Sequence, residues 1–379
     1  MLIRRKIQSE VEKTLFKGKI VVIYGPRQVG KTTLVKLIQE NQKQIATAYF
    51  NCDEADVRDA LTGKTSTELK LFFGDNKLVI LDEAQRVRNI GLTLKLMVDN
   101  YPQMQIIATG SSSFDLSNEI VEPLTGRKIE FYLYPFSLAE LKEIYSEIEI
   151  DRILENRMIF GMYPGVVFES DFAKIKTLKT LAKSYVYKDV LEYRNIKNHE
   201  VLEKLLRALA LQVGNEVSYG ELASLIEINK QTVADYIQIL EKAFIVFRLP
   251  SFSSNLRNEI KSNRKIYFYD NGIRNALINN LNPLDLRQDA GALWENFMIG
   301  ERVKSNNNTD GDANMYFWRT LQKQEIDLIE ERGGKLAGFE FKWKSRPGKV
   351  PVAFSRAYPD AKVEMISREN YKKFAGLRQ

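Results

Sequence analysis

A chain of 379 residues with 44% apolar and 28% charged residues is too long for one ordinary core, and its composition is not that of a disordered protein. A single cysteine excludes an internal disulfide, and one cysteine with one histidine leaves too few ligands for structural zinc. The net charge is +7, and residues 341–379 alone hold ten Lys and Arg against three Asp and Glu. That basic region suggests a polyanionic partner such as nucleic acid, with a merely solubilising surface as the alternative.

No apolar run is long enough to span a bilayer, and the first residues, Met1–Lys6, lack the apolar core of a secretory signal. We therefore expect a cytoplasmic protein without a membrane partner.

Four short apolar runs alternate with helical patterns in the first part of the chain. Such continuous runs are typical of strands buried on both faces of a parallel sheet, and the segments between them are long enough for crossover helices. We therefore predict an α/β domain over residues 1–135. The runs are Ile20–Tyr24, Ala46–Asn51, Leu78–Leu81 and Gln105–Thr109.

The pattern then becomes helical, and we assign residues 136–200 to a segment that completes or links the first domain. A short helix, Tyr219–Ile226, and a second, Lys230–Ala243, precede a predicted strand at Phe244–Phe247. Helix, turn, helix and β-hairpin is the order of a winged helix-turn-helix, predicted here over residues 201–250. The second helix is not strongly basic, so a role in packing or protein contact is supported at least as well as DNA reading.

Residues 251–379 read as a mixed α/β domain. A helix is expected at Ala292–Val303, followed by a polar loop at Asn306–Gly311. A hairpin turn is expected at Gly333–Gly334. The predicted strands are Ile266–Tyr269, Met315–Trp318, Glu325–Glu330 and Lys335–Lys344.

A phosphate-binding loop is predicted between the first apolar run and the helix after it. Residues Gly25–Thr32 read G-P-R-Q-V-G-K-T and match the Walker A pattern at every required position. Glycines let the backbone curl so that N–H groups face a phosphate, and Lys31 is expected to reach the β and γ phosphates while the Thr32 hydroxyl binds Mg²⁺. The residues predicted to contact the nucleotide are Gly25, Pro26, Arg27, Gln28, Val29, Gly30, Lys31, Thr32 and Thr33.

Two adjacent carboxylates end the run Leu78–Leu81, as in a Walker B motif. Asp82 is expected to hold Mg²⁺ directly or through water, and Glu83 to orient and polarise the attacking water. Solvated acids in a loop are the alternative, but a P-loop on a neighbouring predicted strand favours the Walker B interpretation.

Polar residues that follow the later strands are further candidates. Ser111, like Thr109, lies where a side chain can contact the γ-phosphate or the water. Arg127 is a candidate cation for transition-state charge, acting in its own site or in that of a neighbouring molecule. A plain Gly/Ser loop and a surface arginine are the alternatives.

The segments GPRQVGKTTL, VILDEAQ, ATGSSSF and LTGRKIEFYLYPFSLAEL together resemble the AAA-type ATPase family whose members carry a C-terminal domain of unknown function. The resemblance continues more weakly through YFYDNGIRNALI and WENF, so it spans most of the chain. It implies ATP binding and hydrolysis, a P-loop domain with a parallel sheet, a winged helix and a nuclease-like C-terminal fold. Because no adenine-reading motif is visible, ATP rather than GTP follows from the resemblance alone.

A second group of carboxylates lies in the last third of the chain. Period-two alternation places Glu325 and Asp327 on one face of a strand, and Glu340 and Lys342 on one face of the next. The predicted hairpin would make Asp327 and Glu340 neighbours. Two close carboxylates and a lysine can bind a divalent metal and activate water for phosphodiester cleavage, with Glu295 as a further ligand.

The order Glu295, Asp327, Glu340-x-Lys342 resembles the PD-(D/E)xK nuclease superfamily. A hairpin with charges on its wet face, or a nuclease-like fold without the chemistry, would give the same pattern. The metal in this cluster would be a second divalent ion beside the Mg²⁺ bound with ATP.

The sequence is compatible with three functions. The first is an ATPase whose nucleotide cycle acts as a switch for its C-terminal domains. The second is an ATP-regulated, metal-dependent nuclease acting on nucleic acid. The third is a nucleotide-dependent scaffold that binds a protein partner or a second copy of itself.

Overall fold

The computed structural model describes residues 2–111, 123–194, 199–252, 264–309, 313–344 and 350–378, with the backbone alone at residues 184–194. The chain forms two compact units. The first contains Met1–Pro135 and Lys242–Phe244, and the second contains Phe136–Glu241 and Ile245–Gln379.

The first unit is an α/β fold around a five-stranded parallel sheet with the strand order β2-β3-β4-β1-β5. Its strands are β1 (Ile20–Tyr24), β2 (Thr47–Asn51), β3 (Leu78–Asp82), β4 (Gln105–Gly110) and β5 (Lys128–Tyr132). Its helices are α1 (Ile7–Thr14), α2 (Lys31–Asn41), α3 (Ala55–Leu61), α4 (Ser66–Phe73) and α5 (Ile90–Asn100).

The apolar sequence of the central strands explains their place in this sheet. Every residue of β1, β3 and β4 is buried, because helices on both faces of a parallel sheet leave no wet side. Ile23 pairs with Thr109 and Leu81 pairs with Ala108, so the carboxyl ends of these three strands meet at one edge. The prediction of a parallel-sheet α/β domain is confirmed.

The second unit is mixed α/β. Its helices are α6 (Leu138–Leu141), α7 (Glu147–Phe160), α8 (Pro164–Val167), α9 (Asp171–Arg194), α10 (His199–Leu211), α11 (Tyr219–Ile226), α12 (Lys230–Lys242), α13 (Asn271–Leu277), α14 (Ala290–Asn308), α15 (Val352–Ala357) and α16 (Tyr371–Phe374). Its strands are β6 (Glu216–Val217), β7 (Val246–Pro250), β8 (Arg264–Phe268), β9 (Asn314–Arg319), β10 (Glu325–Arg332), β11 (Lys335–Phe341) and β12 (Lys362–Ile366).

These strands form two sheets. The order β6-β8-β7 is antiparallel, whereas β12-β11-β10-β9 is mixed, with β11 and β12 parallel. The hairpin between β10 and β11 turns at Gly333 and Gly334, whose φ angles of 54° and 78° suit residues without a Cβ. Leu328 pairs with Phe339, so Asp327, just before Leu328, lies beside Glu340, just after Phe339.

Two local predictions were wrong. Phe244 has a φ of 58°, so the strand expected at Phe244–Phe247 begins only at Val246. Of the loop expected at Asn306–Gly311, the residues Asn306–Asn308 instead end α14. Asn306 is held there by tertiary partners, since it donates to Glu330 at 2.9 Å and accepts from Arg332 at 2.5 Å. Residues 310 and 311 lie outside the described part of the chain. The four-part domain division, including the winged helix-turn-helix, stays a prediction.

Within the described ranges, no helix combines the length and apolar character needed to cross a bilayer.

Candidate nucleotide-binding site and a second charged cluster

The loop between β1 and α2 has the curled backbone that its sequence predicts. Gln28 and Gly30 have positive φ angles of 60° and 94°, and α2 begins directly afterwards. Gly25 lies so close to the strand beside it that a Cβ there would be 2.2 Å from the Leu133 carbonyl oxygen. Glycine is therefore required at Gly25 for packing as well as for conformation.

The Lys31 side chain lies along this loop. It is buried, and its ammonium group donates to the carbonyl oxygens of Gly25 at 2.8 Å and Pro26 at 3.0 Å. The Lys31 ammonium has three N–H donors, so the phosphate oxygens of a bound nucleotide could replace these carbonyl oxygens as its acceptors. Of the other loop residues, Val29 is buried, Arg27 and Thr32 are half-buried, and Gln28 and Thr33 are exposed.

A residue that the sequence did not single out supports the loop from the other side. The buried guanidinium of Arg5 donates to the carbonyl oxygens of Val29 at 2.7 Å and Tyr134 at 2.6 Å. Two charge-assisted hydrogen bonds from one planar group fix the loop against the end of β5.

The Asp82 carboxylate is the centre of the polar network at the end of β3. Its Oδ2 accepts from the Thr32 hydroxyl at 2.6 Å and from the Tyr49 hydroxyl at 2.7 Å, and its Oδ1 accepts from Thr109. A hydroxyl and a carboxylate at this separation form the oxygen donor set that Mg²⁺ prefers. Thr32 and Asp82 therefore fit a shared metal ion that would neutralise charge on a nucleotide's phosphates.

Burial, followed by the hydrogen bond to Asp82, raises the pKa of Tyr49 well above its usual range. Tyr49 therefore remains a hydrogen-bond donor to the carboxylate at neutral pH. Its neighbour Cys52 is buried, and burial raises the pKa of that thiol to about 12, so the single cysteine is a poor nucleophile.

Glu83 and Ser111 are brought together through a side chain that the sequence argument missed. The Gln85 amide donates to Glu83 Oε2 at 2.5 Å and to Ser111 Oγ at 3.1 Å. Glu83 is also anchored by its backbone N–H, which donates to the Thr109 hydroxyl at 3.1 Å. The ends of β3 and β4 thus carry one continuous set of hydrogen bonds that includes Asp82 and Glu83.

Arg127 is not part of this network. It precedes β5, and the Ile20 N–H at the start of β1 donates to its carbonyl oxygen at 2.8 Å, so it lies at the opposite edge of the sheet from Gly25. Five strand residues separate these edges, a distance of about 13 Å. Its guanidinium pairs instead with Asp99 at 2.5 Å. The structure therefore gives no support to a role in its own site, and the role in a neighbouring molecule stays a prediction.

The predicted carboxylate cluster forms in the second unit. Lys342 Nζ lies 3.0 Å from Glu340 Oε2 and 3.9 Å from Asp327 Oδ2, which also accepts from the Phe341 N–H at 2.9 Å. Glu295 approaches the same cluster from α14 and accepts from the Tyr267 hydroxyl at 2.6 Å. The four residues chosen from the sequence are therefore neighbours.

A buried lysine that the sequence argument missed lies among these carboxylates. Lys265 is 1% exposed, and its Nζ is 2.5 Å from Glu325 Oε1, 3.1 Å from Glu295 Oε1 and 4.0 Å from Asp327 Oδ1. Burial acts to lower the pKa of Lys265, but the surrounding carboxylates outweigh it and raise that pKa, so the ammonium stays charged. Among the described residues, no group of three or more His, Cys, Asp and Glu side chains could hold a metal ion.

Burial, and then the nearby Asp327 charge, raise the pKa of Glu295 to about 7. Burial also raises the pKa of Asp327 and of Glu340, whose pKa is raised further by Asp327. Burial is thus the main reason why these carboxyl groups ionise less easily than exposed ones, and the charge of Asp327 adds to the effect on Glu295 and Glu340.

Several basic residues of the C-terminal region form ion pairs within the second unit. Helix α7 carries acidic residues at intervals of four, on one face. Ion pairs join them to the basic region as Arg378–Glu147 at 2.6 Å, Lys372–Asp151 at 2.6 Å and Arg368–Glu155 at 2.8 Å. This packing gives the basic residues a structural use and weakens the argument from charge for a nucleic-acid partner.

The fold and the network at the end of β1 and β3 define a P-loop nucleotide-binding unit. Residues 17–142 match the family described as an AAA domain. Residues 151–284 and 290–372 match two families, each described as a domain of unknown function (DUF8612 and DUF4143). The AAA domain match supports an AAA-type P-loop ATPase with a nucleotide-binding function, while the nuclease-like assignment of the C-terminal region gains no such support.

Similar proteins cover most of the chain. An uncharacterized protein of Mycobacterium tuberculosis is 26% identical over 366 residues, which is 96% of this chain and 78% of that protein. An uncharacterized protein of Methanocaldococcus jannaschii is 27% identical over 314 residues, 78% of this chain and 69% of that protein. Among solved structures, the Walker-type ATPase of Pyrococcus abyssi is 16% identical, with a TM-score of 0.48, and covers 73% of this chain and 96% of its own.

Proposed function

We propose that this chain binds ATP with Mg²⁺ in the Gly25–Thr32 loop and hydrolyses it. The observation that carries the proposal is the hydrogen bond of 2.6 Å between Thr32 and Asp82, because it joins the Walker A and Walker B residues at the place where they would share a metal ion. The buried Lys31 ammonium and the N-terminal end of α2 add positive potential for the phosphates.

In this mechanism the chain supplies mainly position and charge. Lys31 binds the β and γ phosphates. Thr32 and Asp82 would hold Mg²⁺, which would neutralise charge that develops on the phosphate oxygens. Glu83 orients the attacking water and accepts its proton. Ser111, at the end of β4, contacts the γ-phosphate or the water.

The same residues support the use of hydrolysis as a switch. Ser111 is hydrogen-bonded to Gln85 and through it to Glu83, so loss of the γ-phosphate would change contacts on both strands at once. We infer that the C-terminal domains respond to this change. The ammonium of Lys265 lies among the carboxylates that a nuclease metal would need, which argues against the nuclease alternative.

Nucleotide binding and turnover in three variants test the proposal. Lys31→Ala should abolish nucleotide binding or turnover, and Glu83→Gln should spare binding and slow hydrolysis by about 100-fold or more. Lys43→Ala, at an exposed position just after α2, is the charge-matched control and should behave as wild type. Unchanged turnover in both Lys31→Ala and Glu83→Gln would refute the assignment. Repeating the assay with DNA, RNA and candidate proteins would show what the switch responds to.

A further inference from the structure

One amide group joins the ends of two strands at the candidate site. Gln85 Nε2 lies 2.5 Å from Glu83 Oε2 and 3.1 Å from Ser111 Oγ. Glu83 follows β3 and Ser111 follows β4, so this side chain connects the general base proposed above to the residue proposed to contact the γ-phosphate.

The orientation of the amide is fixed by its partner. An ionised carboxylate only accepts hydrogen bonds, so the NH₂ group of Gln85 must face Glu83. Its Oε1 atom is then buried and accepts no hydrogen bond within the described part of the chain. A buried acceptor without a donor is unfavourable, so this position calls for a molecule that can donate a hydrogen bond.

The backbone is arranged to place this side chain. Glu83 has a φ of 53°, in the left-handed region, and a 3-10 turn at Ala84–Arg86 follows it. This turn reverses the backbone, so the side chain of Gln85 points back to the carboxyl end of β3. A positive φ at a residue with a side chain is unfavourable, and such conformations are retained mainly where function requires the geometry.

We propose, resting on the ATPase function proposed above, that Gln85 positions the water that attacks the γ-phosphate. One O–H of the water donates to Gln85 Oε1 and the other donates to the Glu83 carboxylate. The water oxygen then bonds to the γ-phosphorus, and the bond from that phosphorus to the β,γ-bridging oxygen breaks with its electron pair leaving on ADP. The water proton passes to Glu83 and then to solvent.

The test separates this positioning from nucleotide binding. Gln85→Ala should lower kcat for ATP by about 100-fold, with KM and the affinity for ATP within about threefold of wild type. Affinity for ADP with aluminium fluoride, which mimics the transferring phosphoryl group, should fall in parallel with kcat. Gln85→Glu, of nearly equal shape, should lose turnover in the same way because it cannot donate to Glu83. Arg88→Ala, at an exposed position in the same loop, is the control.

The Gln85 variants show whether this side chain positions the attacking water. Wild-type kcat in both Gln85 variants would overturn the proposal, and so would an equal loss of ATP affinity and kcat, which would indicate a structural role. If Gln85→Ala does not fold, Gln85→Glu carries the test. Absence of turnover in the wild-type protein would overturn the ATPase function itself, whereas turnover that is insensitive to Gln85 would overturn only this inference.

Lys265 is buried at the centre of the charged cluster of the second unit. Lys265 Nζ approaches oxygen atoms of Glu325, Glu295 and Asp327, and the lysine is fully enclosed. A divalent ion in the cluster would need the same oxygens, at about 2.0–2.6 Å, and would bring two positive charges beside an ammonium that cannot leave.

We infer that Lys265 serves as the permanent cation of this cluster, which is therefore an ionic link between β8, β10 and α14 instead of a metal-dependent cleavage site. The ammonium compensates carboxylates from the other two elements, and the Tyr267 hydroxyl donates to the same oxygen of Glu295 that accepts from Lys265. Removing the charge but not the stem should leave an acidic cavity that admits a metal ion.

Binding of Mn²⁺ to nucleotide-free protein tests this inference, in an Asp82→Asn background that removes the P-loop ligand. The parent should show no Mn²⁺ binding at the cluster, so adding Asp327→Ala to it should leave Mn²⁺ binding unchanged. Lys265→Met should gain a Mn²⁺ site, seen directly by electron paramagnetic resonance and as a rise in Tm with Mn²⁺ concentration. Lys335→Met, at an exposed position on β11, should gain none.

Mn²⁺ binding by the parent that requires Asp327 would overturn the inference, and so would a folded Lys265→Met that binds no Mn²⁺. The parent arm does not depend on the folding of the variant, so it decides the question if Lys265→Met is unstable. In that case Lys265→Gln, which retains a polar end, replaces it in the second arm.

Discussion

The Thr32 hydroxyl donates a hydrogen bond of 2.6 Å to Oδ2 of Asp82, although 50 residues separate them along the chain. Thr32 lies in the first turn of α2 and Asp82 is the last residue of β3. Because β1 and β3 both pair with β4 in parallel, their carboxyl ends come to the same edge of the sheet. The topology thus brings the two oxygens that we propose as Mg²⁺ ligands within hydrogen-bond distance of each other.

Tyr49→Phe should weaken the response to Mg²⁺ more than the maximum rate. The Tyr49 hydroxyl donates to the same Asp82 oxygen as Thr32 and holds that carboxylate in orientation. Loss of such a partner typically costs about 10–100-fold in metal affinity. We expect half-maximal ATP turnover to need about tenfold more free Mg²⁺, with kcat at saturating Mg²⁺ within about threefold of wild type.

Titration of turnover against free Mg²⁺ at saturating ATP measures this effect. Tyr101→Phe is the matched control, since no hydrogen bond to that hydroxyl occurs in the described part of the first unit. An unchanged Mg²⁺ dependence in Tyr49→Phe would show that Thr32 and Thr109 orient Asp82 by themselves.

The sequence contained enough information to predict the parallel sheet and to select the Walker A and Walker B residues that the structure brings together at one edge of it. Buried strands such as β1 and β3 are continuous apolar runs, and the Walker A loop has fixed spacing, so both are local signals. Tyr49 and Gln85 carry no local signal. Tyr49 belongs to a strand that is only half-buried, and Gln85 reaches the site only because Glu83 adopts a positive φ.

The second cluster shows a different limit of sequence reasoning. Alternation along β10 and β11 correctly brought Asp327 and Glu340 together, because period two and a Gly-Gly turn fix the register. Lys265 lies on a strand of another sheet, 62 positions before Asp327 by their residue numbers, and no spacing rule links them. Non-local pairing determines whether the carboxylates face a metal or an ammonium.

Arg127→Ala should leave the turnover of the isolated monomer within about twofold of wild type. The guanidinium lies at the amino edge of the sheet and pairs with Asp99, both being about 40% exposed, so it does not reach the Gly25–Thr32 loop of its own chain. An exposed ion pair of this kind contributes about 0–1 kcal/mol, and the stability should change little.

Turnover measured over a range of protein concentrations checks this expectation. A loss of activity in Arg127→Ala under conditions where the wild type is monomeric would contradict it. A role in a neighbouring molecule would appear only at concentrations that favour association, and adding Lys31→Ala protein, which retains Arg127, would then restore activity to Arg127→Ala.

Gly25→Ala should destabilise the first unit by about 1–3 kcal/mol and impair nucleotide binding. The added Cβ would lie 2.2 Å from a backbone oxygen of Leu133, so either the loop or the end of β5 must shift. Denaturant unfolding gives the stability and a fluorescent ATP analogue gives the affinity.

The control for this substitution is Gly291→Ala, in the first turn of α14. Among the described residues, no atom beyond its chain neighbours and the nearby backbone of its own helix lies within 4 Å of the ideal Cβ position, so alanine should be neutral or stabilising by up to about 1 kcal/mol. Wild-type stability and affinity in Gly25→Ala would mean that the loop yields at little cost, against the steric argument.

Asp289→Asn should destabilise the second unit by about 3 kcal/mol at neutral pH. Asp289 pairs with Arg274 at 2.5 Å and Arg287 at 2.8 Å, and both guanidinium groups are buried, so they would lose their compensating charge. Burial acts to raise the pKa of Asp289, but the hydrogen bonds from the two arginines outweigh it and lower that pKa from 3.8 to about 2.

The sign of the pH dependence follows from that lowered pKa. A carboxyl with a folded pKa below its unfolded value contributes stability that is complete above about pH 4 and is lost as the pH falls toward 2. The difference in the free energy of unfolding between wild type and Asp289→Asn should therefore decrease by about 1 kcal/mol from pH 6 to pH 3. Denaturant unfolding at both pH values measures this difference. Asp285→Asn, at an exposed position, is the control and should unfold with the same free energy as wild type at both pH values. A difference that stays constant or increases on acidification would mean that Asp289 gains no net stabilisation from its two arginines.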